Sequence, residues 1–194
     1  MSDRRSWRYR RPLAPAPTRP LWRTLIDLVV FLAALVLVVV ALRMMGVTEV
    51  AGPRAQVIDG DSLTLKDQEI RLNGIDAPEY TESCKDGRGA DYPCGKQAAN
   101  MLRALVRGQD VTCQSSETDR YGRALSVCRA GGVELNREMV RLGWAVAYLR
   151  HSHDYIGEES AARAARRGIW QGSFEEPEAY RARNRDLQIA PARP

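Results

Sequence analysis

The hydrophobic pattern of this chain changes period along its length. The nineteen residues that begin at Thr24 and close at Leu42 carry one charge, Asp27, and otherwise run almost unbroken through Leu, Val, Ala and Phe. At a helical rise of 1.5 Å per residue such a run covers about 28 Å, close to the roughly 30 Å of a bilayer's hydrocarbon core. Met44 to Val47 would lengthen it. A buried core helix would show a polar stripe, and none is present. No good small-x-small cleavage site lies between Ala41 and Gly52, so an uncleaved membrane anchor is expected, with release after signal cleavage as the alternative.

Beyond Gly52 and Pro53 the period shortens to that of strands. Residues 54–75 read as three strands, with turns at Gly60 and at Asp67-Gln68. A long loop follows over 76–93. Ala98, Met101, Leu102, Leu105 and Val106 then recur at helical spacing and predict an amphipathic helix over 95–107, ended by Gly108. Two further strands are predicted over 111–114 and 123–129, and two helices over 134–142 and 154–167, closed by Gly143 and Gly168. Five short strands with a helix between the third and fourth match a five-stranded Greek-key barrel of the OB type. The expected class is mainly β with helices (α+β): the barrel, three α-helices, and one transmembrane helix before them. The expected organisation is a basic Pro-rich leader over 1–23, an anchor over 24–46, a linker over 47–53, the barrel domain over 54–172 and a charged tail over 173–194. In that tail a short helix near Pro177 is expected to give way to disorder.

Composition alters this picture in one respect. The 44% hydrophobic and 27% charged content is that of a chain with a packed core. The formal charge of +5 suggests a polyanion partner, but Met1 to Arg23 holds seven arginines against Asp3 alone, which leaves 22 basic and 23 acidic residues in the rest. Any polyanion binding by the folded part must therefore come from placed arginines rather than bulk charge. The basic leader also puts the N-terminus in the cytoplasm by the positive-inside rule, with the rest of the chain exported.

Four cysteines suit an oxidising compartment. Cys84 and Cys94 bracket a short loop and form the expected disulfide, worth about 2 to 3 kcal/mol. Cys113 and Cys128 lie on two predicted strands, where a second disulfide and a pair of buried thiols are equally consistent. No CxxC pair is present, and the run His151-Ser152-His153-Asp154 lacks the third ligand a catalytic zinc would need.

The chemistry gathers in three stretches: Val57-Ile58-Asp59-Gly60-Asp61-Ser62, Arg71 through Glu79, and Asp119-Arg120-Tyr121-Gly122-Arg123. Asp59, Asp61, Asp76 and Glu79 stand among strand residues. Like charges about 4 Å apart repel by roughly 4 kcal/mol at an effective dielectric near 20, so such a cluster implies a cation, shared protons or arginine partners. Carboxylates and backbone carbonyls are hard oxygen ligands suited to calcium. Arg71 and Arg123 offer paired donors that match phosphate oxygens. A cation, two arginines and a spare carboxylate are the parts needed to hydrolyse a phosphodiester.

With these motifs, and with Val140-Arg141-Leu142-Gly143 and Gly168-Ile169-Trp170, the chain resembles the staphylococcal-type thermonuclease (micrococcal nuclease-like) family over residues 55–170. The resemblance implies calcium-dependent cleavage of DNA and RNA on an OB barrel, leaving 3′-phosphate ends. It implies that Asp61 and Asp76 ligate calcium by side chain and Ala77 by its carbonyl oxygen, where familiar members carry Thr. It further implies that Asp59 holds a metal-bound water, that Glu79 orients or deprotonates the attacking water, and that Arg71 and Arg123 bind the scissile phosphate. Tyr121 and Tyr148 would line the nucleotide pocket, packing on the barrel being the alternative. A non-catalytic OB module that binds nucleic acid or a protein is the rival reading. Against it, Asp61, Asp76, Glu79, Arg71 and Arg123 all stand in register. Nucleic acid and, through the apolar run, a membrane are the expected partners, with no obligate protein partner.

Overall fold

A computed structural model describes residues 21–44, 47–150 and 152–189. The leader before Leu21, His151 and the residues after Ile189 lie outside it. The described chain forms two units divided after Met44. The first is a single helix, α1 (Leu21–Met44). Its segment Trp22–Ala41, of mean hydropathy 2.9, is long and apolar enough to cross a membrane, a test that a signal sequence near the N-terminus also passes.

The second unit is built on strands β1 (Thr48–Gly52), β2 (Ala55–Val57), β3 (Ser62–Leu65), β4 (Gln68–Leu72), β5 (Ile75–Asp76), β6 (Cys84–Lys85), β7 (Asp91–Tyr92), β8 (Val111–Thr118), β9 (Ala124–Ala130), β10 (Val133–Glu134) and β11 (Val146–Ala147). Its helices are α2 (Cys94–Val106), α3 (Leu135–Arg141), α4 (Ile156–Ala164) and α5 (Pro177–Ile189), with a 3-10 turn over Gly168–Gln171. The main sheet runs β1-β8-β9-β4-β3-β2, and β10 pairs with β9. Among the described strands only the β4–β9 pairing is parallel, joining the N-terminal meander to the later hairpin. This is the expected α+β OB-fold, with more strands than the sequence pattern predicts. Thr48–Gly52, in a segment expected to be linker, pairs antiparallel with β8 from Thr48 opposite Ser115 to Gly52 opposite Val111. Within the expected tail, α5 is a helix of 13 residues.

Local chemistry explains the framework. Lys66 and Asp67 both have positive φ, at 50° and 63°, and link paired Leu65 and Gln68 in the two-residue geometry that suits the right-handed twist of a hairpin. Alternation then sends Leu63, Leu65, Ile70 and Leu72 into one core with Leu102, Val111, Leu135, Met139 and Val140. A smaller cluster gathers Cys84, Cys94, Val146 and Ile169 against Trp144, Trp170 and Phe174. Both cysteine pairs are disulfides, Cys84–Cys94 and Cys113–Cys128. Cys113 and Cys128 are direct partners in the β8–β9 register, an arrangement that local sequence does not reveal.

Candidate active site

The loop before β3 is shaped by one glycine. A Cβ on Gly60 would lie 2.6 Å from the Cβ of Ala77 and 2.8 Å from that of Ala98, so only a glycine lets the loop press against both. The Asp61 amide donates to Asp59 Oδ1 at 3.0 Å, closing the turn. This holds Asp61, which is 2% exposed, facing the interior. Its Oδ1 accepts from Ser62 Oγ at 2.9 Å and from Arg71 Nη1 at 2.8 Å, and its Oδ2 accepts from the Ala77 amide at 2.9 Å.

Asp76 reaches the same point from β5, whose pairing with β11 sets Asp76 opposite Val146. It is 1% exposed. Arg71 Nη2 donates to Asp76 Oδ1 at 2.7 Å, so one guanidinium spans two buried aspartates. Burial raises the Asp76 carboxyl above its usual range against the lowering influence of its arginine partners. Asp59 is pushed up to about 7, first by burial and then by the charge of Asp61. Arg71 alone thus faces more carboxyl groups than one guanidinium can pair.

A residue unforeseen from the sequence supplies the balance. Arg181 on α5 donates from Nη1 to Asp76 Oδ1 and from Nη2 to Asp76 Oδ2, both at 2.8 Å, and from Nη1 to Glu79 Oε1 at 3.2 Å. Glu79 stands at the rim, its side chain 34% exposed. Next to it lies Glu82, 1% exposed, whose Oε2 accepts from the Glu79 amide at 3.1 Å while its Oε1 has no partner. Burial pushes the Glu82 carboxyl up to about 7. Glu82 is likewise unforeseen from the sequence, since nothing in the 76–93 loop marks it as buried.

Arg123 stands apart from this cluster but lines the same cleft, of about 1090 Å³, as Asp59, Arg71, Glu79, Tyr121, Tyr148 and Arg181. Its Nε and Nη2 donate to Asp119 Oδ2 at 2.8 and 2.7 Å. Asp119 Oδ1 in turn accepts from the amides of Tyr121 and Arg123, which holds the carboxyl below its usual range despite partial burial. Tyr121 is 65% exposed, with Arg120 and Arg123 at 4.8 and 5.5 Å from its ring centre. The Tyr148 amide donates to the Gly74 carbonyl at 2.9 Å. The structure therefore brings together Asp61, Arg71, Asp76, Ala77 and Glu79, sets Asp59 beside them, and places Arg123, Tyr121 and Tyr148 elsewhere on the cleft wall.

The donor chemistry fits a hard divalent cation: buried carboxylates, with no sulfur or imidazole at the contacts described. Among the described residues, however, no three His, Cys, Asp or Glu side chains stand ready around one point to hold a metal. Both oxygens of Asp76 are engaged by arginines.

Residues 69–172 match the family described as staphylococcal nuclease homologue. The chain belongs to that family. The match takes in Arg71, Asp76, Glu79 and Arg123, and it ends before α5. The chain is 38% identical over 125 residues to the succinoglycan biosynthesis protein ExoI of Rhizobium meliloti, covering 63% of this chain and 65% of that protein. It is 37% identical over 142 residues to the probable endonuclease LCL3 of Schizophyllum commune, covering 61% and 47%. A third relative, an uncharacterized endonuclease of Escherichia coli O157:H7, is 34% identical over 129 residues, covering 63% and 78%. The chain thus spans less than two thirds of the first two relatives.

Proposed function

We propose that the protein is a calcium-dependent endonuclease that hydrolyses DNA and RNA, held at a membrane by α1 with its nuclease unit exported. One observation carries the reading: a single guanidinium, Arg71, spans two buried aspartates beside Glu79, and a second arginine, Arg123, lines the same cleft. Relatives named as endonucleases support it. Two disulfides and the arginine-rich leader support export.

Asp61, Asp76 and the Ala77 carbonyl would hold the calcium, with Asp59 bonding a water on it. Bound there, the cation supplies charge neutralisation to the phosphate. Arg71 and Arg123 bind the phosphate oxygens and stabilise the charge that gathers on them in the transition state. Glu79 accepts the proton of the attacking water as its oxygen bonds to phosphorus. The bond from phosphorus to the 5′ oxygen breaks, that oxygen takes a proton from solvent, and the phosphate stays on the 3′ end. Tyr121, exposed between two arginines, offers a stacking face for a base.

The test is digestion of end-labelled single-stranded DNA and RNA by the full chain in detergent, with calcium and with chelator, beside Glu79→Gln. Calcium-dependent cuts with 3′-phosphate ends are expected. Cleavage in chelator would remove calcium from the reading, and no cleavage under either condition would remove the nuclease. Protease protection in sealed vesicles checks the topology, and digestion of the nuclease unit only from the cytoplasmic face would overturn export.

A further inference from the structure

Asp76 is buried, yet it accepts three hydrogen bonds from two arginines that differ in kind. Arg71 belongs to β4, at the centre of the main sheet. Arg181 comes from a helix beyond the segment matched by the family, 105 residues further along the chain. Its fork covers both Asp76 oxygens and reaches Glu79, so it touches one proposed metal ligand and the proposed base at once.

The rest of α5 is weakly held. Of residues 177–184 only Pro177 is buried. The ion pairs Arg150 with Glu178 and Arg183 with Glu175 join exposed partners, which contribute little. The approach to α5, by contrast, is firmly tied. Ser173 exchanges two main-chain hydrogen bonds with Lys85, at 2.8 and 3.0 Å, beside the Cys84–Cys94 disulfide. A fixed tether thus leads into a helix that, among the described side chains, meets a fully buried charge through Arg181. Tyr180 and Asn184 line the same cleft, so the docked helix narrows it.

We propose that Arg181 is an internal counter-cation seated on Asp76, a proposed calcium ligand, so that divalent-cation binding and docking of α5 exclude one another and α5 is a metal-released latch. The inference rests on the calcium reading above. A hard cation needs direct contact with Asp76 oxygen, at about 2.3 to 2.6 Å. A guanidinium already forked onto both oxygens blocks that approach by shape and by like charge. Once Arg181 is displaced, α5 keeps the buried Pro177 at its start, the half-buried Tyr180, Ala182 and Asn184 and two exposed ion pairs, and its release widens the cleft for a polymer. The apparent calcium affinity is then the intrinsic affinity scaled by the fraction of molecules in which the latch is open.

The experiment uses the full chain in detergent, with calorimetric calcium titration and hydrogen exchange over residues 177–189, for the native protein and for Arg181→Gln. Calcium is expected to raise exchange across 177–189 in the native protein, and chelator to restore protection. Arg181→Gln is expected to exchange rapidly there without calcium and to bind calcium on the order of tenfold more tightly. The native exchange measurement needs no variant and stands even if Arg181→Gln folds poorly. Equal calcium affinities with residues 177–189 protected throughout would overturn the latch and leave the calcium site standing. No calcium binding by either protein would overturn both.

Discussion

The main-chain carbonyl of Glu79 lies against the Cα of Gly95, in space that any Cβ at position 95 would enter. The first turn of α2 is thereby packed directly on the backbone that carries the proposed base. The Gly95 amide also donates to the Glu82 carbonyl at 3.2 Å, so the turn over 79–82 and the helix start form one unit.

Gly95→Ala must push that backbone away. Overpacking of this kind costs about 1 to 3 kcal/mol. A shift of about 1 Å in a catalytic group costs about 10²-fold in rate. We expect a thermal midpoint lower by several degrees and a far larger loss of turnover. Unchanged turnover would show that Glu79 need not be held by α2.

Arg123→Ala separates chemistry from stability. Its partner Asp119 sits in a partly exposed turn, where such a pair contributes about 0 to 1 kcal/mol. Loss of a transition-state donor costs about 10² to 10³-fold. Nuclease assays and denaturant unfolding on the same preparation should therefore diverge. If stability fell in proportion to activity, Arg123 would be a structural residue of the Asp119 turn.

What the sequence made legible was local. Asp59, Asp61, Arg71, Asp76 and Glu79 each fall at a turn or strand end that hydrophobic alternation marks, so their convergence could be read from a meander. Arg181 could not, because α5 carries the pattern of a solvated helix and its contact with Asp76 spans 105 residues. β1 escaped for a related reason. Thr48–Gly52 holds too little alternation to announce a strand, and its partner β8 is remote in sequence. The Cys113–Cys128 bridge is not legible locally because it depends on the β8–β9 register, which a bulge between Ser115 and Glu117 adjusts.

Asn136, fully buried, carries a structural load that the chemistry conceals. Its Oδ1 accepts from the Cys128 amide at 3.0 Å, and its Nδ2 donates to the carbonyls of Asn73 and Ser126 at 2.9 and 3.0 Å. It joins α3 to β9 and to the turn just before Asp76. Asn136→Ala takes the side-chain acceptor from the buried Cys128 amide and one donor from the Asn73 and Ser126 carbonyls, the latter still accepting from the Asn73 amide at 2.8 Å, and a buried group left unpaired costs about 1 to 3 kcal/mol. Urea unfolding should show a loss of about 1 to 3 kcal/mol, and no loss would mean that water replaces the side chain.

Glu82 should make stability fall as pH rises. Burial lifts its carboxyl from 4.5 to about 7, so the folded state favours the protonated form. Below pH 4.5 both states hold the proton and its contribution is fully present. Between 4.5 and about 7 the folded state binds more protons than the unfolded chain, so stability declines with pH, then levels. The unpartnered Oε1 has no donor to offset the charge that appears. Glu82→Gln removes the titration while keeping an oxygen that can accept from the Glu79 amide. In chelator, the variant should gain on the native protein from pH 5 to about pH 7 and hold that gain at higher pH. Parallel melting curves for the two proteins across that range would mean that Glu82 is ionised in the fold at neutral pH, with a counter-charge or water at Oε1.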